Sequence, residues 1–178
     1  MLLENASTAL SSIHKDLFEI KKNIYDKCGF GFANLKIENE SEEYGACTFE
    51  LNGNKIIYRV SKTTPTKTGQ FVTIWKRNNK GITEPFNISD DFDFIVITAK
   101  SGENCGQCIF SKNILVQQKI ITSTTIEGKR GIRVYPPWNK LTSKQAEKTQ
   151  KWQVENFITI STDNTFDFEK IKKLFSKT

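Results

Sequence analysis

The fold of this chain is set by one stretch, Tyr44-Gly-Ala-Cys-Thr-Phe-Glu-Leu-Asn-Gly-Asn-Lys-Ile-Ile-Tyr-Arg-Val-Ser-Lys62. Polar and apolar residues alternate on both sides of Asn52-Gly53, and an Asn-Gly pair between alternating runs is the strongest short signal for a two-residue hairpin turn. The stretch therefore predicts an antiparallel hairpin in which a strand over Tyr44–Leu51 pairs with a strand over Lys55–Lys62.

Further strands are predicted outward from this hairpin. Phe92–Lys100 contains Phe-Ile-Val-Ile, which is apolar enough for a central strand buried on both faces. The other predicted strands are Gln70–Arg77, Cys108–Phe110 and Ile132–Tyr135, with a polar loop over Thr63–Gly69.

Helices are predicted at both ends of the chain. Leu10, Ile13, Leu17, Ile20 and Ile24 recur every three or four residues, which is typical of one helix face and predicts a helix from about Asn5 to Lys27. A capping-box pattern at Thr142 and Gln145 predicts a helix to about Asn156, and an amphipathic final helix contains Phe168 to Phe175. Together the elements predict a single α+β domain over residues 1–178, with a curved, largely antiparallel sheet of five or six strands covered by helices.

Composition indicates an intracellular protein. The 178 residues include four cysteines, and the start of the chain lacks the basic region of a secretory signal, so we expect free thiols in the cytoplasm. No apolar run is long enough to cross a bilayer, so we predict no membrane partner.

The sequence contains no complete catalytic set. Its one histidine, His14, leaves histidine-dependent hydrolases and zinc enzymes without partners, and Cys105-Gly-Gln-Cys108 has no second CxxC. Two predicted strands end in lysine, as in restriction endonucleases, but Val60 and Thr98 stand where a metal-binding acid is needed. We therefore predict no catalytic residue, metal ligand or cofactor. A restriction-endonuclease-like topology remains open, and any enzymatic activity would be a Mg²⁺-dependent, nuclease-like one.

Basic residues are concentrated in two stretches, although the net charge is only +6. Residues 55–80 contain seven basic residues and no acid, and residues 128–152 contain seven basic residues and Glu147. Acids collect at residues 38–43 and 84–93, so the rest of the chain is net negative. If both basic stretches lie on one face, that face attracts polyanions. The alternative is that each stretch supplies only solvated lysines.

Hydroxyl and aromatic residues lie between these cations, a combination that suits phosphate contacts and base stacking. We therefore predict non-enzymatic binding of nucleic acid in a groove formed by both stretches. The predicted phosphate contacts are Arg59, Lys62, Lys67, Lys76, Arg77, Lys129, Arg130, Arg133, Lys144 and Lys148, and the predicted stacking rings are Trp75, Tyr135 and Trp138.

Three segments resemble the MepB family. They are Arg59-Val-Ser-Lys-Thr-Thr-Pro-Thr-Lys-Thr-Gly-Gln-Phe-Val-Thr-Ile-Trp-Lys-Arg77, Gly128-Lys-Arg-Gly-Ile-Arg-Val-Tyr-Pro-Pro-Trp138 and Ser143-Lys-Gln-Ala-Glu-Lys-Thr-Gln-Lys-Trp-Gln153. The resemblance extends from about Glu43 to Phe157. It implies a small bacterial cytoplasmic protein, one relative of which is encoded beside a multidrug efflux pump and its repressor, and it implies no reaction.

Two other functions remain open at this point. One is a degenerate nuclease-fold enzyme or a small-ligand pocket that uses Glu50, Arg59 and Lys62. The other is a protein-interaction module connected with drug efflux. The oligomeric state does not follow from the sequence.

Overall fold

The hairpin around Asn52-Gly53 is present in the computed structural model, which describes residues 13–163 and 165–176. Strands β1 (Phe32–Ile37), β2 (Cys47–Leu51) and β3 (Asn54–Val60) form an antiparallel meander. Asn52 and Gly53 have φ values of 51° and 79°, the left-handed conformations that a type I′ turn requires. The hairpin prediction is confirmed, although Tyr44 lies in a short 3₁₀ turn before β2.

Six strands form the central sheet. Parallel pairing joins β3 to β8 (Phe94–Ser101), and antiparallel pairing adds β9 (Asn104–Ser111) and β11 (Phe157–Ile160). The order is β1-β2-β3-β8-β9-β11, so β8 is central, as predicted. The prediction of an α+β fold with a largely antiparallel sheet of five or six strands is confirmed.

A second, smaller sheet replaces the predicted loop and third strand. Strands β4 (Lys62–Thr64) and β5 (Lys67–Thr73) form a hairpin, and β10 (Gly131–Val134) pairs with β5, giving the order β10-β5-β4. The predicted strand Gln70–Arg77 is wrong as one element. It breaks at the buried Ile74, whose amide donates to Arg130 O, and continues as β6 (Trp75–Arg77), which pairs with β7 (Thr83–Pro85).

The described residues contain four α-helices. Helix α1 (Lys15–Ile20) continues through a π-helical turn, Lys21–Tyr25, and the predicted start of this helix lies outside the described residues. Helix α2 (Lys112–Gln117) follows β9, and α4 (Phe168–Leu174) is the predicted final helix. Helix α3 (Lys144–Glu155) is capped by Ser143, whose Oγ accepts from the Ala146 amide at 3.2 Å, so the predicted cap at Thr142 is wrong by one residue.

The central sheet is covered on both faces. On one face α1 and α4 contribute Leu17, Ile20, Ile24 and Ile171 to a buried apolar cluster. On the other face the smaller sheet and α2 contribute Val72, Val134 and Leu115 to a second cluster, and Trp152 of α3 packs against it. No helix within the described residues is long and apolar enough to cross a membrane.

Candidate functional site

The two basic stretches meet in the β10-β5-β4 sheet. Phe71 of β5 is the direct partner of both Lys62 on β4 and Arg133 on β10. Directly opposed residues share a face of a sheet, so these three side chains form one row. Their row lies on the outer face, because Val72 and Ile132 point into the core.

Arg133 is held over the β4–β5 hairpin by neutral oxygen atoms. One guanidinium nitrogen, Nη2, donates to Thr64 Oγ1 at 2.7 Å, and Nη1 donates to the carbonyl of Gly69 at 3.3 Å. Among the described residues, Arg133 forms no ion pair. Its charge is therefore positioned by the protein but not neutralised by it.

A cleft of about 280 Å³ lies between β10 and α3. We call it the β10–α3 cleft, and its lining contains no acidic residue within the described chain. The lining residues are Gln118, Ile120, Lys129, Gly131, Ile132, Arg133, Tyr135, Gln145, Thr149, Trp152 and Gln153.

Two glutamines hold α3 along the free edge of β10. The buried Gln153 donates from Nε2 to the carbonyl of Arg133 at 3.0 Å and accepts at Oε1 from the amide of Tyr135 at 2.7 Å, as a neighbouring strand would. Gln150 donates to the carbonyls of Pro136 and Asn139. These bonds to backbone set the width of the cleft.

Helix α3 also places cations at the rim of the cleft. Lys144, Lys148 and Trp152 are spaced by four residues and therefore lie along one side of the helix. Because Trp152 lines the cleft, the exposed Lys144 and Lys148 lie on the adjoining flank. Neither lysine forms an ion pair within the described residues.

Tyr135 supplies a half-buried ring at the end of β10. The ring lies against Gly69, where an added Cβ would come within 2.6 Å of the ring carbons. Gly69 also has a φ of 81°, a conformation that other residues rarely adopt. This glycine permits the close approach that positions the ring beside Arg133.

The first basic stretch is largely neutralised by acids. Lys62 pairs with Glu43 at 2.7 Å, and Arg77 pairs with Glu40. In the sequence these acids lie outside both basic stretches, in the part of the chain that is net negative. In the fold these acids form ion pairs with the basic residues. Residues 55–80 therefore do not form the uniformly positive surface that we expected. Lys67, at the start of β5, is exposed and forms no ion pair within the described residues.

Four predicted contact residues lie around β6 and β7, outside the β10–α3 cleft. They are Trp75, Lys76, Arg77 and Arg130. The Lys76 ammonium contacts Asp90 and Glu84. Burial opposes its charged form, but the hydrogen bonds to these two acids outweigh burial and raise the pKa of Lys76.

Trp75, Arg77 and Arg130 also contact other residues of the protein. The Arg77 guanidinium lies 5.4 Å from the centre of the Trp75 ring. Arg130 pairs with Glu127 at 3.2 Å and donates to the carbonyl of Thr83. The fold thus divides the predicted groove into two regions.

Arg59 and Trp138 do not fit their predicted roles. Arg59 is 1% exposed and donates to Glu38 and to the carbonyl of Tyr58, so it is not available to a phosphate. It lies in β3 with both faces of the sheet covered. Trp138 packs edge-on against Phe157, with ring centres 5.7 Å apart, and its Nε1 is buried. This ring fills the core beneath α3.

The structure explains why the endonuclease-like positions carry no acid. Thr98 is fully buried and bonded to Tyr58 and Gln107, while Val60 is 8% exposed in the core. Glu50 lies opposite Lys55 across the hairpin, whereas Lys62 pairs with Glu43. Glu50, Arg59 and Lys62 therefore do not converge on one pocket, and the described residues contain no metal-binding cluster of three His, Cys, Asp or Glu.

The cysteines of the CxxC motif cannot act as a pair. They lie three residues apart in β9, and residues at that spacing point to opposite faces of a strand. Cys105 packs against one core cluster and Cys108 belongs to the other. Burial raises the pKa of both thiols, which suppresses the thiolate. The single histidine caps α1 through Nδ1, which accepts from the Asp16 amide.

The fold and the site define a class: a mixed α+β protein with a six-stranded sheet and a basic cleft beside a smaller sheet. A family model described as MepB-like matches residues 38–159, and the chain belongs to this MepB-like family. A crystal structure of MepB is similar, with a TM-score of 0.72 and 30% sequence identity, over 83% of this chain and 97% of that chain.

A bacterial homing endonuclease, I-Ssp6803I, gives a TM-score of 0.44 and 15% identity over 82% of this chain and 86% of that chain. A likeness at this level carries no conclusion about the present chain, so the restriction-endonuclease-like topology stays a prediction. No curated protein matches the chain significantly.

Proposed function

We propose that this protein binds nucleic acid without cleaving it and that the β10–α3 cleft is the binding site. The observation that carries the proposal is the lining of this cleft. Lys129 and Arg133 face it with no acidic neighbour among the described lining residues, and α3 adds exposed lysines at the rim. Cations without an internal counter-ion are available to neutralise phosphates.

The other groups in the cleft favour nucleic acid among polyanions. Thr149 and Gln145 supply hydroxyl and amide groups, which hydrogen-bond phosphate and sugar oxygens. Tyr135 and Trp152 are half-buried rings in the same lining; Trp152 also packs against Phe110, so a base would meet the parts of these rings that stay exposed. Lys67 extends the charged surface along the β4–β5 hairpin that supports Arg133.

Equilibrium binding of fluorescent oligonucleotides, single- and double-stranded, tests this proposal at low ionic strength. The cleft variant is Lys129→Ala/Arg133→Ala/Lys148→Ala. Its control is Lys22→Ala/Lys27→Ala/Lys173→Ala, which removes the same charge from exposed positions on the α1 and α4 face. We expect the cleft variant to lose about tenfold or more in affinity relative to the control, from three contacts of roughly 0.5–1 kcal/mol each. No binding by the unmodified protein, or equal losses in both variants, would reject the site.

We also propose a cytoplasmic location, which four free cysteines favour because reducing compartments preserve thiols. Cell fractionation with an antibody to the native protein tests it, and recovery in the membrane or secreted fraction would contradict it.

A further inference from the structure

An acidic segment, residues 38–45, connects β1 to β2 and lies over part of the outer face of the smaller sheet and over β6. Its contacts there come from four side chains. Glu43 pairs with Lys62 at 2.7 Å, Glu40 pairs with Arg77, Ser41 Oγ lies 3.4 Å from Thr73 Oγ1, and the Tyr44 ring meets the Phe71 ring edge-on at 6.5 Å between centres. Lys62 also lies over the Tyr44 ring at 4.7 Å.

The covered residues continue the proposed binding surface. Lys62, Phe71 and Arg133 form one row across three paired strands, and Arg133 lines the β10–α3 cleft. Lys62 and Phe71 are therefore the next residues that a ligand would meet on leaving the cleft. In this structure they are engaged by Glu43 and Tyr44.

The segment is fixed more firmly at its ends than in its middle. At one end Glu38 binds the buried Arg59 at 2.8 Å, and its amide donates to the carbonyl of Ala46 at 2.9 Å. In the middle, the side chains of Glu43 and Glu40 are 68% and 46% exposed. Ion pairs as exposed as these are weak and are screened by salt. The two carboxylates can therefore leave their cations while the ends stay in place, whereas the half-buried Tyr44 ring gives up its packing against the second core cluster if it follows.

The contacts of the segment resemble those of a nucleic-acid strand. The Glu43 carboxylate contacts Lys62 and the Glu40 carboxylate contacts Arg77, as phosphate oxygens would. The Tyr44 ring packs against Phe71, as a base would. We infer that residues 38–45 are an internal competitor that covers an extension of the binding site formed by Lys62 and Phe71, and that also engages Arg77 in the neighbouring region around β6. A bound polyanion displaces the segment, and this inference rests on the proposed function.

Neutralising the segment tests the competition. The variant Glu40→Gln/Glu43→Gln removes both carboxylates and leaves the covered cations in place. Its control, Glu19→Gln/Glu103→Gln, makes the same charge change at exposed positions that line a different cleft. We expect oligonucleotide affinity to rise about two- to tenfold above that of the control, as two exposed ion pairs cease to compete. Equal affinity in the two variants overturns the inference.

Closing the segment covalently tests the displacement. Ser41→Cys/Thr73→Cys places two thiols where the hydroxyl oxygens are 3.4 Å apart, close enough for a disulfide after small adjustment. We expect the oxidised form to bind several-fold more weakly than the reduced form of the same sample, with disulfide formation verified by mass spectrometry. Equal affinity of the two forms overturns the inference.

The two hypotheses fail in different ways. If the unmodified protein binds oligonucleotide through the cleft but neither the glutamine variant nor the disulfide alters affinity, the competitor role is rejected and the proposed function stands. If no form of the protein binds, both are rejected.

Discussion

Arg59 and Arg133 have nearly the same local sequence and opposite surroundings. Each lies in a strand and is followed by valine. Arg59 is 1% exposed and ion-paired with Glu38, whereas Arg133 is half-buried on an outer face and, within the part of the chain that the structure describes, is bound by neutral oxygens. Alternation along a strand predicts which residues share a face but not whether another layer covers that face, so the sequence could not separate the two roles.

The burial of Arg59 predicts a stability effect at Glu38. Glu38→Gln leaves the Arg59 guanidinium in the interior without its counter-charge, and Arg59 Nε already has no hydrogen-bond partner within residues 13–163 and 165–176. Removing one partner of a fully buried pair costs about 3–5 kcal/mol, and we expect about 1–3 kcal/mol here because much of Glu38 contacts water. Urea unfolding measures the loss. Glu40→Gln is the control, since its exposed pair with Arg77 contributes less than about 1 kcal/mol. Equal stability of the two variants would contradict this role of Arg59.

At the scale of elements, the hardest strands to predict were those that pair with a strand far away in the sequence. The sequence indicated only Cys108–Phe110 for β9, which extends over Asn104–Ser111, and it gave no signal for β11. Gly106 lies within β9, where sequence reasoning saw only the interior of a CxxC motif. Its lack of a side chain lets β11 pair closely, a requirement that becomes visible only when Phe157 is placed against it.

Gly106 therefore carries a prediction for the β9–β11 pair. A Cβ at this position would lie 2.3 Å from the Phe157 ring and 2.4 Å from the carbonyl oxygen of Ile158, so backbone must shift to accept it. We expect Gly106→Ala to lower the free energy of unfolding by about 1–3 kcal/mol. Gly31→Ala is the control, because an added Cβ there meets no described residue within 4 Å, and it should change stability by about 0.5 kcal/mol or less. A stable Gly106→Ala variant would show that the close approach is unnecessary.

Elements with strong local signals were predicted well. The Asn52-Gly53 hairpin, the central strand β8 and the end of α3 at Asn156 follow from turn chemistry, apolar runs and helix periodicity. The strand predicted over Gln70–Arg77 has a continuous pattern but changes partner at Ile74, since the chain leaves one sheet for another. Such a change depends on the position of Arg130, more than fifty residues away, and leaves no local signal.

At the scale of the whole molecule, the distribution of charge along the chain anticipated one part of the geometry of the proposed site. It correctly brought residues from both basic stretches to one sheet, where Lys62 and Arg133 share a row. It could not show that Glu40 and Glu43 return to the first stretch, because local windows of sequence do not contain these distant partners. In the second stretch Arg130 pairs with Glu127, whereas Lys129 and Arg133 form no ion pair within the described residues. Trp152 and Thr149, which also line the cleft, belong to the α3 face opposite β10.

The dependence of affinity on salt tests the central claim most directly, because its slope counts the phosphates that the protein neutralises. For a single-stranded oligonucleotide, each phosphate contact contributes about 0.7 to the slope of log K against log salt. We predict that Lys129→Ala/Arg133→Ala/Lys148→Ala lowers the slope of the unmodified protein by about 2, while Lys22→Ala/Lys27→Ala/Lys173→Ala leaves it unchanged. Equal slopes for the two triple variants would contradict binding in the β10–α3 cleft.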